Sequence, residues 1–161
     1  MQILFIISYI CSMSTIFDFN RRIQAVEIRP IIVLCMEQSQ YEVLSFNKGK
    51  LYMGEGADGR MISPPYKQQG YAEFKNSMNP KPGLGVRDYF LTGEYFNGFF
   101  MEVNKSQMTF TVGSKDIKAA KIEKQTSAKQ LYGIAPDDKE YFSREILRPK
   151  IVTELRKTIG V

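Results

Sequence analysis

Two groups of side chains in this 161-residue sequence could take part in acid–base chemistry. Glu94 directly precedes Tyr95, and Asp58 follows shortly after Glu55. Either pair could supply the proton donor and acceptor of glycoside cleavage, which would make the protein a carboxylate-based cell-wall hydrolase. Carboxylates on turns are usually solvated, and histidine, the usual general base at neutral pH, is absent. We therefore keep the hydrolase as an alternative and expect no enzyme and no catalytic residues.

The absence of histidine also removes the Ser-His and Cys-His nucleophile pairs and the commonest zinc ligand. The two cysteines, Cys11 and Cys35, lack CxxC spacing and cannot complete a structural zinc site. Both lie in apolar runs, so we expect small buried side chains in a reducing compartment rather than a disulfide. The sequence predicts no metal and no cofactor.

Gly54, Gly56 and Gly59 satisfy the GxGxxG pattern of a phosphate-binding loop. That function needs a parallel-sheet strand before the loop and a helix after it, whereas Pro64 and Pro65 follow closely. A calcium loop would need alternating Asp or Asn ligands and a terminal Glu, which are missing. We expect a plain connecting turn.

Basic residues are concentrated in the C-terminal part of the chain. Residues 1–114 contain 11 Lys/Arg and 10 Asp/Glu, whereas residues 115–161 contain 11 and 7. Lys118, Lys121 and Lys124 recur at every third position and could form a basic ridge on one helix. No aromatic stacking platform interleaves with them. A small basic nucleic-acid-binding protein is therefore a second alternative, with weak and salt-dependent DNA contact.

A β-hairpin is the clearest structural element. Apolar residues alternate from Phe99 to Val103 and from Met108 to Val112, with a polar turn between the two runs. We expect Leu91, Thr92 and Gly93 to shape the turn into this sheet: Gly93 through a backbone angle that other residues disfavour, Thr92 through a local hydroxyl–backbone bond.

Helices are predicted on both sides of the hairpin. A helix from about Ser14 should break or restart at Pro30, and a second should reach about Asn47, with a strand over residues 31–36 as the alternative. A long C-terminal amphipathic helix should follow, with a kink at Pro149. Residues 76–88, which precede the hairpin, are dense in Pro, Gly and Asn and predict a mobile assembly loop.

The predicted fold class is α+β, with a small antiparallel β-sheet packed with N- and C-terminal helices in a single domain of residues 13–161. Residues 1–12 form an apolar extension that is too short to span a membrane and lacks the features of a signal peptide. An export signal, an arm that docks on a partner, and translation from upstream of the real start remain open, and we favour the last. The expected core comprises Ile23, Val26, Leu34, Phe96, Phe99, Met101, Val103, Phe110, Val112, Ile146, Ile151 and Leu155.

The order of several short motifs resembles the phage virion-morphogenesis and tail-completion proteins of the head–tail junction, found in Bacteroidetes-type phages and prophages. The motifs are a glycine turn over residues 54–60, Pro64-Pro65-Tyr66, Leu91-Thr92-Gly93 before the hairpin, and Leu131-Tyr132-Gly133-Ile134. The resemblance covers roughly residues 40–135 and does not extend to residues 1–12.

The resemblance implies a structural virion protein without catalytic residues. Its expected partners are copies of itself in a ring and phage connector, neck or tail-tube proteins, with no membrane. Its expected location is the virion, and the host cytoplasm during assembly. Phe99 and Phe100 must face opposite sides of a strand, so one of them is available to a neighbouring subunit. The expected interface residues are Tyr89, Phe90, Tyr95 and Phe100.

Overall fold

A computed structural model describes residues 16–160 of the chain. The expected extension of residues 1–12, including Cys11, lies outside these residues. The described elements follow in this order: α1 (residues 16–24), α2 (Ile28–Glu37), α3 (Gln40–Tyr52), α4 (Gln69–Met78), α5 (Glu94–Asn97), β1 (Phe99–Asn104), β2 (Thr109–Ser114), α6 (Ala119–Glu123), α7 (Ala128–Leu131), α8 (Pro136–Tyr141), a π-helical stretch (Phe142–Leu147) and α9 (Arg148–Ile159).

The α+β class is confirmed, because the described residues form helices packed around one two-stranded antiparallel sheet. Strand β1 pairs with β2 so that Met101 lies opposite Val112 and Val103 opposite Phe110. These residues share one face of the hairpin, since alternate side chains of a strand point to the same side. The hairpin predicted from the alternating pattern is therefore present.

The N-terminal helices differ from the prediction at one position. Residues 31–36 are helical, which rules out the strand alternative, but the helix expected to reach Asn47 is interrupted at Gln38 and Ser39. Ser39 is fully buried, and its hydroxyl donates to the carbonyl of Cys35 at 2.8 Å. A serine that bonds backbone in this way competes with regular helix geometry, which accounts for the separate helices α2 and α3.

The loop between α4 and α5 is tied to the rest of the fold at both ends. Asn79 and Asp88 are each 1% exposed, and Asn79 Nδ2 donates to Asp88 Oδ2 at 2.9 Å and to the carbonyl of Tyr52 at 2.7 Å. A buried side chain therefore bridges the loop ends, and residues 76–78 of the expected loop belong to α4.

The C-terminal helix runs without a break from Pro136 to Ile159 but changes its winding in the middle. The stretch Phe142–Leu147 is π-helical and ends just before Pro149. Proline cannot donate a backbone hydrogen bond, and its ring clashes with the carbonyl four residues earlier in a regular α-helix. A wider turn at this point relieves both conflicts, which gives the expected irregularity at Pro149 a physical cause.

The hydrophobic core has two parts, and both include residues from the inner face of the hairpin. The first contains Leu51, Tyr95, Phe96 and Phe99, and the second contains Val43, Met101, Ile134 and Phe142. Two expected core residues are wrong, because Ile23 is 45% and Leu34 41% exposed. Leu34 lies opposite the buried side of α2, which carries Ile31, Cys35 and Met36. The remaining expected core residues are buried or half-buried, namely Val26, Phe96, Phe99, Met101, Val103, Phe110, Val112, Ile146, Ile151 and Leu155.

Candidate functional site

A cleft of about 1040 Å³ brings together segments that are far apart in the sequence. Its walls come from residues 64–75, residues 87–95 and residues 118–125. Several residues selected from the sequence meet there: Tyr89, Leu91, Thr92, Gly93, Tyr95, Lys118 and Lys121. The segment of residues 64–75, which contributes Tyr66, Tyr71 and Lys75, was not expected at a site. Its proximity depends on the tertiary fold, so sequence inspection offers no signal for it.

Lys75, which lines the cleft, belongs to a buried ion pair. Lys75 Nζ lies 2.6 Å from Asp88 Oδ1, and the two side chains are 4% and 2% exposed. Lys75 also donates to the carbonyl of Phe90, while Asp88 accepts from Asn79 and from the backbone N–H of Phe90. A buried ion pair is stable when hydrogen bonds satisfy its remaining polar atoms, as they do here. This pair joins α4 to the segment that leads into the hairpin.

Arg87 lies beside this pair but is not neutralised by it. The side chain is in the cleft wall and the residue is only 8% exposed. Its Nη1 donates to Gln125 Oε1 at 3.3 Å and lies 3.5 Å from the hydroxyl of Tyr89. Its buried Nε has no hydrogen-bond partner within residues 16–160. In the same range no carboxylate forms a salt bridge with Arg87.

Tyrosine rings form much of the remaining wall. Tyr66 and Tyr71 pack edge to face with ring centroids 5.0 Å apart, and the Arg87 guanidinium carbon lies 5.7 Å from the centroid of Tyr66. Burial, together with the negative charge of Asp88, raises the pKa of Tyr66. Tyr89 shares a hydrogen bond with the hydroxyl of Thr126. The cleft therefore combines flat ring surfaces with cationic groups.

Tyr95 is a core residue, so the expectation that it lies at an interface is wrong. It is 4% exposed and packs edge to face on Phe99 with ring centroids 5.0 Å apart. Its hydroxyl donates to that of Tyr132 at 3.1 Å, which in turn donates to Glu123 Oε1 at 2.7 Å. Burial raises the pKa of Tyr95 to about 12. The hydrogen-bond chain links the core to the surface at α6.

The turn before the hairpin has the backbone geometry that the sequence predicts. Gly93 has φ of 83°, in the left-handed region that glycine tolerates best, and it precedes α5. The hydroxyl of Thr92 accepts from the backbone N–H of Glu94 at 3.5 Å. Leu91 is exposed at the rim of the cleft.

The three lysines of the expected basic ridge lie at a short helix, α6, which contains Ala119–Glu123. Lys118 and Lys124 flank this helix as its caps, and Lys121 lies within it. Lys118 pairs with Glu94 at 2.7 Å on the surface, whereas Lys121 forms no salt bridge within the described residues. Lys118 and Lys121 line the cleft and Lys124 does not.

The carboxylates considered for acid–base chemistry are engaged elsewhere. The Lys118 ammonium donates to exposed Glu94 and lowers the pKa of that carboxyl, opposite to what a general acid needs. Tyr95 turns its hydroxyl to Tyr132 instead. Glu55 pairs with Lys50 at 2.8 Å, and Asp58 accepts from the backbone N–H of Arg60 at 3.1 Å. These contacts do not favour a hydrolase.

The glycine turn does not present free donors to a phosphate. The backbone N–H of Gly56 donates to Arg60, that of Ala57 to Gln130, and that of Gly59 to Gly56. The donors of a phosphate cradle would have to point at the ligand. Over residues 16–160, no group of His, Cys, Asp and Glu side chains is arranged to hold a metal ion.

Phe90 and Phe100, both expected at an interface, have different surroundings. Phe90 is half-buried against the core and packs edge to face on Tyr52, with ring centroids 4.9 Å apart. Phe100 lies on the outer face of the hairpin, over Gly113 of the paired strand, with Lys115 Nζ 5.0 Å from its ring centroid. Phe99 is buried, so the two rings do face opposite sides as predicted.

Helix α4 has an inverted distribution of apolar and polar residues. Its inner side carries Ala72 and the charged Lys75, both buried. Its outer side carries Tyr71, Phe74 and Met78, which are 42%, 48% and 49% exposed. We call these three residues the α4 surface. Their spacing places them on one stripe of the helix, which is roughly half exposed although Tyr71 packs on Tyr66 at one edge.

Searches against protein-family models, curated protein sequences and solved structures found no match to this chain. In the part of the chain that the structure describes, no helix has both the length and the apolar character required to cross a membrane.

Proposed function

We propose that this chain is a structural subunit of a phage virion at the head–tail junction or tail end, of the tail-completion or neck type. It associates with copies of itself in a ring and contacts connector, neck or tail-tube proteins. It acts in the virion, and in the host cytoplasm during assembly, without catalysing a reaction. The order of the sequence motifs supports this proposal, and so does the apolar area that the fold leaves uncovered.

The α4 surface is the observation that carries the proposal. A surface helix of an isolated domain normally turns its apolar side inward. Here the ion pair of Lys75 and Asp88 fixes the polar side inward, so Tyr71, Phe74 and Met78 must face outward. Exposed contiguous apolar residues of this kind mark protein–protein interaction sites. We infer that another protein chain covers this stripe.

A second uncovered surface makes another copy of the same chain the best occupant. The N-terminal helices α1 and α2 expose several large apolar side chains, and we call four of them the α1–α2 surface: Ile16, Phe17, Ile23 and Ile28. Contact between two different surfaces of identical chains is heterologous, and it generates a ring where the rotation closes. We therefore place the α4 surface of one copy against the α1–α2 surface of the next.

The test of ring formation is the molar mass of the protein in solution, measured by light scattering after gel filtration and by electron microscopy of negatively stained particles. The unmodified chain should form a closed oligomer. Phe74→Asp should shift it to the monomer, because a charge in an apolar contact is not tolerated. Ile117→Asp is the matched control, since Ile117 is 93% exposed and lies outside both surfaces.

Two results would contradict self-association: a monomeric unmodified chain at all concentrations, or equal effects of the two substitutions. The virion role has a separate test. Peptides of this chain should be found by mass spectrometry in purified particles of the phage or induced prophage that encodes it. Particles that lack the protein would overturn the virion role even if a ring forms in solution.

A further inference from the structure

Arg87 carries a positive charge that forms no salt bridge within residues 16–160. The residue is 8% exposed, and its neighbour Asp88 is already engaged by Lys75, Asn79 and the backbone N–H of Phe90. Its partners within residues 16–160 are the uncharged Gln125 and Tyr89. A mostly buried guanidinium is stabilised by a planar anion with which it can form paired hydrogen bonds. Arg87 is thus suited to an anion that enters the cleft.

The rest of the cleft also favours an extended anion. Its lining contains five cationic side chains and one carboxylate, which are Lys67, Lys75, Arg87, Lys118, Lys121 and Glu94. Lys75 and Lys118 are neutralised by Asp88 and Glu94. Lys67, Arg87 and Lys121 form no salt bridge within the described residues, and they come from three separate segments. Charges spread in this way suit several anionic groups better than one.

The tyrosine side chains of the cleft favour a ligand that contains flat aromatic rings. Tyr71 is 42% exposed, and Tyr66 lies against it and against the Arg87 guanidinium. Base stacking on aromatic side chains next to cationic groups is the common mode of single-strand recognition. The volume of about 1040 Å³ is at the upper limit of small-molecule pockets, which leaves room for more than a compact ligand.

We propose that this cleft binds single-stranded nucleic acid, with a phosphate at Arg87 and bases against Tyr66 and Tyr71. This site shares Tyr71 with the α4 surface, whereas Lys67, Arg87 and Lys121 lie outside the proposed ring contacts. It also changes the argument made from the sequence, because the aromatic platform that is missing near Lys118 and Lys121 is supplied by residues 64–75.

The test measures fluorescence anisotropy of a labelled oligothymidylate with the purified full chain, across a series of salt concentrations. The strand should bind, and its affinity should fall as salt rises. Lys121→Ala should weaken binding and lower the log–log salt slope by about 1. Lys124→Ala, the matched control outside the cleft, should leave both unchanged. Arg87→Gln should remove binding, with circular dichroism used to verify its fold.

The contribution of the bases is tested without altering the protein. An abasic strand of equal length should bind about fivefold or more weakly, because it cannot stack on the tyrosines. Duplex DNA or a free mononucleotide that binds as tightly as the strand would overturn the proposal. So would equal losses for Lys121→Ala and Lys124→Ala, which would indicate diffuse attraction to a basic surface. Lys121 and Lys124 lie outside both surfaces of the proposed ring contact, so these two variants separate strand binding from ring formation.

Discussion

Lys75 and Asp88 form an ion pair of 2.6 Å between side chains that are at most 4% exposed, and this pair joins α4 to the segment before the hairpin. We expect Asp88→Asn to lower the free energy of unfolding by about 3–5 kcal/mol, because Lys75 would be left buried without a counter-charge. Urea denaturation followed by circular dichroism measures the change.

The control for this prediction is Glu94→Gln, which removes the exposed ion pair with Lys118 and should change stability little. Combining Lys75→Met with Asp88→Asn should recover part of the loss, since no unpaired charge remains. Equal stabilities of the Asp88→Asn and Glu94→Gln variants would show that the buried pair is not a major constraint.

Gly54 and Gly49 should respond in opposite ways to alanine. Gly54 has φ of 75°, and a Cβ atom there would lie 2.5 Å from Val86 Cγ1 and 2.8 Å from Pro82 Cβ. Gly54→Ala should therefore destabilise the fold by more than about 1 kcal/mol. Gly49 lies in α3 with no atom within 4 Å of such a Cβ, so Gly49→Ala should stabilise by about 0.5–1 kcal/mol. Thermal unfolding compares the two, and a loss for both would contradict the prediction.

Phe100 should matter more for assembly than for folding. Its ring occupies the space beside Gly113 on the outer face of the hairpin, away from the core that Phe99 fills. We expect Phe100→Asp to fold but to weaken a subunit contact by about 2 kcal/mol or more, which would block incorporation into particles. Thr111→Asp, on the same outer face, is the control for added charge. Normal particles, or an unfolded variant, would show that Phe100 does not have this role.

Alkaline pH should destabilise the protein through its buried tyrosines. Burial raises the pKa of Tyr95 to about 12 from about 10 in the unfolded chain. The folded state therefore binds the hydroxyl proton of Tyr95 more tightly than the unfolded chain does. The resulting contribution to the free energy of unfolding is fully present below pH 10 and is lost between about pH 10 and pH 12. Tyr66 and Tyr132 shift in the same direction. The melting temperature should fall over this range, and less steeply in Tyr95→Phe. An identical pH profile for both proteins would exclude the contribution of Tyr95.

The sequence predicted secondary structure best where the structure depends on interactions between residues that are close in the sequence. Alternation from Phe99 to Val103 and again from Met108 to Val112 was sufficient for the hairpin, and the need for a left-handed angle was evident at Gly93. The break at Ser39 was missed, because its hydroxyl bond to Cys35 has no pattern that distinguishes it from an exposed serine in a helix.

The cleft could not be predicted from the sequence for a different reason. Tyr66 and Arg87 meet only because Lys75 and Asp88 pair in the interior, and a buried lysine contradicts the usual assignment of charge to the surface. Because the charged side of α4 faces the interior, Phe74 is exposed on the surface, although its apolar side chain would suggest a core position. Ile23 and Leu34 were wrongly assigned to the core for a related reason. An apolar stripe on a helix does not indicate whether the residues that bury it belong to the same chain or to another one.

The π-helical stretch Phe142–Leu147 lets one continuous helix serve two partners in different directions. An extra residue in a turn sets all later side chains back by about 100° around the axis. At the start of this stretch, Phe142 contacts Phe110 of the hairpin. After the stretch, α9 packs against α2, and Lys150 pairs with Glu42 at 2.7 Å. The π-helical stretch thus rotates the contact face of the second half of the helix toward the N-terminal helices, and no loop is needed. In this way the C-terminal helix connects the sheet to the helices that carry the α1–α2 surface.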